Sequence, residues 1–342
     1  DGDGGEGGAG GAAGGAGGAG GSAVACTRQG ELDLSGTWLI KARLDVVMKS
    51  VQEAPVQVCP EDQTGPAELL LVARFEQSGV ELTSVGVTIC DFTLPGVTAI
   101  VGACAADTLG SVKSQVVPTE GLRAELPGLV VPKGKGKLGG TADGASFEPE
   151  RLTFVLGSQS LKGPMAAWKG GPICDDPKAP LGTGEGCEEQ CVTSCGDVID
   201  SDEDKLPGVS MAVCGRTPDE LQGTKCNTEH PEEPGVTLQG TAAINFRVNP
   251  LLKGKAESSC LVRGNVDAEI DYNVLGANVR LAGGILSVKQ VRDAIPVFDV
   301  LPETSQFVAV RVDGQYGSPK LEIAADNPKA ACKMAIDNQN IF

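Results

Sequence analysis

The groups best placed to do chemistry crowd into one stretch of this sequence. After Cys195 the chain reads Asp197-Val198-Ile199-Asp200-Ser201-Asp202-Glu203-Asp204-Lys205-Leu206-Pro207-Gly208-Val209. Carboxylates at the alternate positions Asp200, Asp202 and Asp204 can turn toward one hard cation in a tight loop, with Asp197 a further oxygen donor beside them. Ca2+ is the ion such a run suits. An EF-hand loop would need Gly where Lys205 stands and a bidentate Glu where Met211 stands. The rival account is an acidic linker that faces water. Calcium in this place would stiffen the chain, not catalyse.

Just upstream, Cys187, Cys191 and Cys195 recur every four residues. On a helix that spacing puts three thiols on one face. Three thiolates and a fourth ligand would suit zinc, but zinc sites recruit histidine and C-x2-C knuckles. This chain has one histidine, His230, and no C-x-x-C. The twelve cysteines (Cys26, Cys59, Cys90, Cys104, Cys174, Cys187, Cys191, Cys195, Cys214, Cys226, Cys260 and Cys332) therefore read as disulfides made in an oxidising compartment. Their spacing leaves the pairing open.

Other chemistry is thin. No G-x-S-x-G elbow or H-E-x-x-H helix accompanies His230, which stands in the acidic loop Glu229-His230-Pro231-Glu232-Glu233. Gly134, Gly136 and Gly139 satisfy G-x-G-x-x-G literally but lack the βαβ setting that offers a helix N-terminus to a pyrophosphate, and so read as a turn. No enzyme is expected, and no cofactor beyond a candidate Ca2+. A net charge of −17 would repel a phosphate backbone or an anionic bilayer, so nucleic acid is not expected as a partner. The local basic turn Lys133, Lys135, Lys137 reads as a solvated loop. No apolar run has the length of a membrane span, so any membrane link would be a lost lipid anchor or a partner. With no initiator Met, the chain is expected to have lost a targeting segment.

The elements that must position these groups are mainly strands. From Trp38 to Met48, one face carries Trp38, Ile40, Ala42, Leu44, Val46 and Met48 while the other carries Lys41, Arg43 and Asp45, the period of a half-buried strand. The same alternation runs through Ala242, Ile244, Phe246 and Val248, and through Val266, Ala268, Ile270, Tyr272 and Val274. Shorter strands fit 69–75, 152–156 and 307–312, with turns at Ser78-Gly79, Asp143-Gly144 and Asp313-Gly314. Val80 and Leu82 alternate in one phase and Val85, Val87 and Ile89 in the other, which predicts a bulge near Ser84. Helical periodicity is confined to the Cys187 stretch, 288–294 and 328–338. Aromatic residues are only 4%, so the core is expected to rest on Val, Leu, Ile and Ala.

The first 25 residues form a Gly/Ala-rich tail whose triplets begin at Gly4, Gly7, Gly10, Gly14, Gly17 and Gly20. As a random coil it is a tether. As a three-residue-per-turn helix it would present bare glycine faces to neighbouring copies, and it would then be an assembly segment. Gly36-Thr37 echoes at Gly240-Thr241, and Leu94-Pro95-Gly96-Val97 at Leu206-Pro207-Gly208-Val209. These echoes suggest two antiparallel β-sandwich or barrel domains, 26–172 and 206–342, joined by a disulfide-rich connector over 173–205.

Two resemblances add to this reading. Leu34-Ser35-Gly36-Thr37-Trp38 resembles the Gly-x-Trp signature of lipocalins, which implies a tryptophan closing the bottom of an antiparallel barrel that carries a small apolar ligand. The larger pattern is a Gly/Ala tether, a Gly-Thr-Trp strand, scattered cysteines and an Asp-rich Pro-Gly-Val segment that is similar to thrombospondin type-3 calcium loops. That pattern resembles exported proteins and predicted lipoproteins of myxobacteria, which implies an extracellular or outer-surface location and no assigned activity. The expected function is a non-enzymatic structural or adhesive surface protein, partnered by itself in a filament or surface layer or by other surface components. The alternative is a lipocalin-like carrier of a small apolar ligand.

Overall fold

The computed structural model describes residues 26–27, 30–50, 56–58, 62–101, 111–129, 131–173, 178, 180–216, 236–281, 283–324 and 326–342. The glycine triplets, Cys59, Cys104, Cys174, Cys226 and His230 lie outside them.

The first half of the chain supplies strands β1 (Gly36–Lys49), β2 (Val56–Val58), β3 (Gln63–Ser78), β4 (Glu81–Thr93), β5 (Val97–Val101), β6 (Ser111–Pro118), β7 (Gly134–Leu138), β8 (Ala145–Pro149) and β9 (Phe154–Leu156), with helix α1 (Glu120–Glu125) after β6. The second half supplies β10 (Val209–Arg216), β11 (Val236–Ser258), β12 (Leu261–Leu281), β13 (Gly284–Ile285), α2 (Val288–Ala294), β14 (Val297–Val300), β15 (Gln306–Arg311) and α3 (Pro328–Asp337). The fold is mainly β, as the period-two patterning requires, and every paired strand in it is antiparallel.

The expected division into two β-domains gives way to one sheet. Its neighbours run β12-β15-β1-β3-β4-β7-β8-β11, and β11 pairs with β12 again, so these eight strands close a ring. The reason is that strands of the two halves pair with each other. β1 takes β15, from the far end of the chain, as one neighbour, and β8 docks on β11 across the supposed connector. β11 and β12 are long enough to serve twice. Their tip completes the ring, while their other ends carry a wing, β11-β10-β6-β5-β2, with β9 also paired to β11.

The inner face of β1 is the one its alternation marks: Trp38, Ile40, Ala42, Leu44 and Val46 join one large core with inward residues from both halves. The scarce aromatics concentrate there. Trp38, Phe75, Phe147 and Phe307 contact one another in sequence at centroid distances of 6.1–6.3 Å, filling one end of the ring. Trp38 is fully buried, and its indole N–H donates to the Leu34 carbonyl at 2.9 Å, which satisfies its single polar atom. Gly36 precedes it at φ +142°, and a Cβ there would fall 2.1 Å from Asp313 Oδ2, so no other residue fits. Arg311, directly opposite Trp38, seals this end. Its guanidinium donates to the carbonyls of Asp33, Ser35 and Ser259 and to Asp313 Oδ1, and lies 4.8 Å from the Tyr316 ring centroid.

A second, smaller core covers the outer faces of β1, β3 and β15. Leu39, Leu70, Val72 and Val310 pack there against Cys332 and Ala335 of α3, and the Cys90–Cys332 disulfide fastens the helix to β4. The bulge expected near Ser84 is present: Arg74 pairs with Gly86 and Phe75 with Ser84, leaving Val85 as the extra residue. The helices at 288–294 and 328–338 form nearly as expected. The Cys187 stretch does not. Glycines at 182, 184, 186 and 196 surround it, Cys191 sits at φ +56°, and Cys187 bonds Cys195 across a short loop.

Candidate functional site

β7 and β8 bridge β4 and β11 only over Glu81–Ser84 and Gly254–Ala256. Beyond that span the two walls of the ring part, and the space between them is left incompletely filled. It forms a cavity of about 160 Å3. Leu44, Leu69 and Phe92 from β1, β3 and β4 line one wall; Met211, Ile244 and Phe246 from β10 and β11 line the other. Tyr272 of β12, Val291 of α2 and Phe298 of β14 close the far side. Phe92 meets Phe246 edge-on across the cavity at 5.6 Å, and Tyr272 meets Phe298 at 6.0 Å.

Only Glu68, Thr93, Ser114 and Tyr272 among the lining residues carry polar side chains, and each has a hydrogen-bond or ion-pair partner in the protein. Glu68 pairs with Lys41 at 3.3 Å, Thr93 Oγ1 accepts the Glu68 N–H, and the Ser114 hydroxyl donates to the Val97 carbonyl. The Tyr272 hydroxyl donates to the carbonyls of Ile295 at 3.2 Å and Pro296 at 2.9 Å. Burial, with the neighbouring Asp271 charge, pushes this phenol up to about 12, so it stays neutral and keeps donating. Its ring faces the cavity while its polar end ties down the link between α2 and β14. α2 is itself fixed by a capping box, in which the Ser287 hydroxyl accepts the Gln290 N–H and the Gln290 side chain accepts the Ser287 N–H. Glu68 and Thr93 are exposed and mark where the cavity reaches the surface. A space this apolar holds water poorly and takes apolar molecules instead.

The acidic run forms a separate cluster at the foot of β10. Ligand oxygens of Asp200, Asp202 and Asp204 all lie within 4.8 Å of one another. Asp202 is buried, and its Oδ2 accepts the Ser210 N–H at 2.8 Å. Burial pushes its carboxyl up to about 6, with the Asp204 and Asp200 charges adding and the Ser210 N–H opposing. Asp200 is raised for the same leading reason. Asp197 is not part of the cluster: it is exposed and accepts the Ser160 hydroxyl at 2.7 Å, because the bridge between Ser158 and Val198 turns it toward the other strand.

Of the cysteines, Cys26 bonds Cys260, Cys90 bonds Cys332 and Cys187 bonds Cys195; Cys191 and Cys214 are also disulfide-bonded. Their sulfurs are committed, so the thiolate zinc site weighed from spacing is not formed by them. Lys135 and Lys137, expected in a solvated turn, instead stand exposed on strand β7, and Lys137 faces Glu81 at 3.6 Å.

The strand patterns of 242–248 and 266–274 already placed Phe246 and Tyr272 on inward faces, but α2 and β14 gave no sign that they would close a cavity over them. Among the described residues no helix is long and apolar enough to cross a membrane. No protein-family model, no curated protein and no solved structure matches this chain.

Proposed function

We propose that this chain is a non-catalytic carrier that holds a small apolar molecule in the cavity between β1-β3-β4 and β10-β11-β12. One observation carries the reading: a space of about 160 Å3 lined almost wholly by carbon, in which every polar lining side chain already has a protein partner. Nothing in such a site orients a reacting bond, whereas an alkyl chain or aromatic ring would gain burial with no polar group to satisfy. The disulfides Cys26–Cys260 and Cys90–Cys332 support an oxidising compartment, outside the cell or at its surface. The structural or adhesive reading draws on the glycine triplets of residues 4–22, outside the described residues; the cavity is formed by described side chains.

The test is titration with N-phenyl-1-naphthylamine, an uncharged fluorophore that brightens in apolar surroundings, together with mass spectrometry of solvent extracts of the purified protein. Saturable binding of one probe per chain, reversed by a medium-chain alcohol, is expected. Absence of saturable enhancement, with nothing in the extract, would refute the carrier.

A further inference from the structure

We propose that Asp200, Asp202 and Asp204 hold a Ca2+ ion that pins the start of β10. Two oxygens that both bind Ca2+ at its usual 2.3–2.6 Å can stand no more than about 5.2 Å apart. The three carboxylates meet that limit, since their ligand oxygens lie within 4.8 Å of one another.

A cluster of acids on a surface would not by itself ask for an ion. The decisive feature is an unanswered oxygen inside. Asp202 is 5% exposed, and its Oδ1 is buried with no hydrogen-bond partner; Asp200 Oδ1 is in the same condition. The second oxygen of each is fixed by backbone, Asp202 Oδ2 by the Ser210 N–H and Asp200 Oδ2 by the Lys205 N–H at 3.0 Å. Asp204 is held likewise, accepting the Leu206 N–H through Oδ1 and the Ser210 hydroxyl through Oδ2. Each carboxylate is thus aimed by the chain. No described Lys or Arg forms an ion pair with any of the three. Two buried carboxylate oxygens without a donor, beside a third carboxylate and with no paired cation, are what a bound ion satisfies.

The backbone is shaped to the same end. Glu203 and Lys205 adopt φ of +56° and +70°, and Lys205 stands where an EF-hand loop places its turn-making glycine. The departures from that loop favour a site made of a few carboxylates and solvent, which the flexible coordination of Ca2+ accepts more readily than the strict octahedron of Mg2+. The ion's structural effect follows from Ser210, whose N–H and hydroxyl both end on the cluster. Ser210 belongs to β10, and the adjoining bonds from Gly208 N–H to the Ile199 carbonyl and from Ser201 N–H to the Gly208 carbonyl wrap the acidic loop around the strand's first turn of chain. Neutralising the loop therefore fixes β10 where it joins β11.

Calorimetric titration of the full chain with CaCl2, after treatment with EGTA, tests the site. Binding of one ion per chain is expected, with a melting temperature higher in Ca2+ than in EGTA and slower hydrogen exchange over residues 208–213. Asp202→Asn and Asp200→Asn should each weaken Ca2+ at least tenfold; Asp197→Asn, outside the cluster, should change it less than twofold. Should Asp202→Asn fail to fold, the half-buried Asp200 carries the comparison. Absence of saturable binding in the wild-type chain, an equal loss in Asp197→Asn, or a shift reproduced by Mg2+ or NaCl at the same concentration would overturn the proposal.

Discussion

Replacing Ala242 by Leu places three more carbons on the inward face of β11, beside the cavity. Ala242 is 1% exposed, pairs with Met211 on one side and Ala277 on the other, and lines the space directly. The three added carbons project into this space and take up part of it. Three carbons buried at ~0.8 kcal/mol each would add up to ~2.4 kcal/mol to stability. With an unfolding entropy of about 2.1 cal/mol/K per residue over 342 residues, that amounts to a rise of about 3 °C in melting temperature. The same leucine takes the volume a ligand needs, so N-phenyl-1-naphthylamine should bind at least tenfold more weakly, a loss of about 1.4 kcal/mol. The opposing signs are the point of the experiment. In a filled core the added carbons would overpack and cost ~1–3 kcal/mol. A melting temperature that falls refutes the cavity; one that rises with probe binding unchanged places the probe elsewhere and refutes the carrier site.

Two other perturbations probe the frame around the site. Burial alone would raise the Asp33 carboxyl, but hydrogen bonds from Tyr316 and Ser35 and the Arg311 charge together outweigh it and hold the group below the ordinary carboxylate range. Its stabilising effect is therefore complete above the unfolded value of about 3.9 and is lost as pH falls through the lower folded value, so Asp33→Asn should flatten the fall in melting temperature below about pH 4. Removing the Cys90–Cys332 bond by a paired substitution to Ser should cost about 2–4 kcal/mol, read as a lower urea midpoint, and should free the amides of α3 to exchange while those of β11 stay protected.

Much of the wall of this molecule was legible in its alternation. Trp38 to Val46 turn inward as their period demands, and the phase switch beside Ser84 is a real bulge at Val85. The outward face was harder. Leu39, one step from Trp38, is fully buried because α3 returns from the end of the chain to cover it. Local patterning cannot report a cover that distant. The same limit explains the domain division: the echo of Gly36-Thr37 in Gly240-Thr241 describes two strand starts that share a left-handed glycine, at φ +142° and +144°, not two bodies. It also explains the thiols, since a four-residue period suggests a helical face only where the backbone can be helical, and Cys191 at φ +56° is not. The acidic run was the clearest site in the sequence because its chemistry is contiguous. The cavity was invisible because it is the gap left where β7 and β8 stop, a property of pairing between strands far apart in the chain.

The seat of β15 between β1 and β12 sets the order in which this molecule can be made. A chain emerging from its N-terminus lays down β1, β3 and β4 early, but the Trp38–Arg43 edge of the first strand stays open until Gln306–Arg311 arrives. Until then the aromatic layer lacks Phe307, and Cys90 waits for a partner 242 residues downstream. Closure thus depends on the longest-range contacts, the kind that slow folding and leave edges and thiols open to wrong partners. A truncation anywhere before residue 306 should yield a chain rich in strands, prone to sticking to itself and scrambled in its disulfides, whatever the quality of the strands it retains.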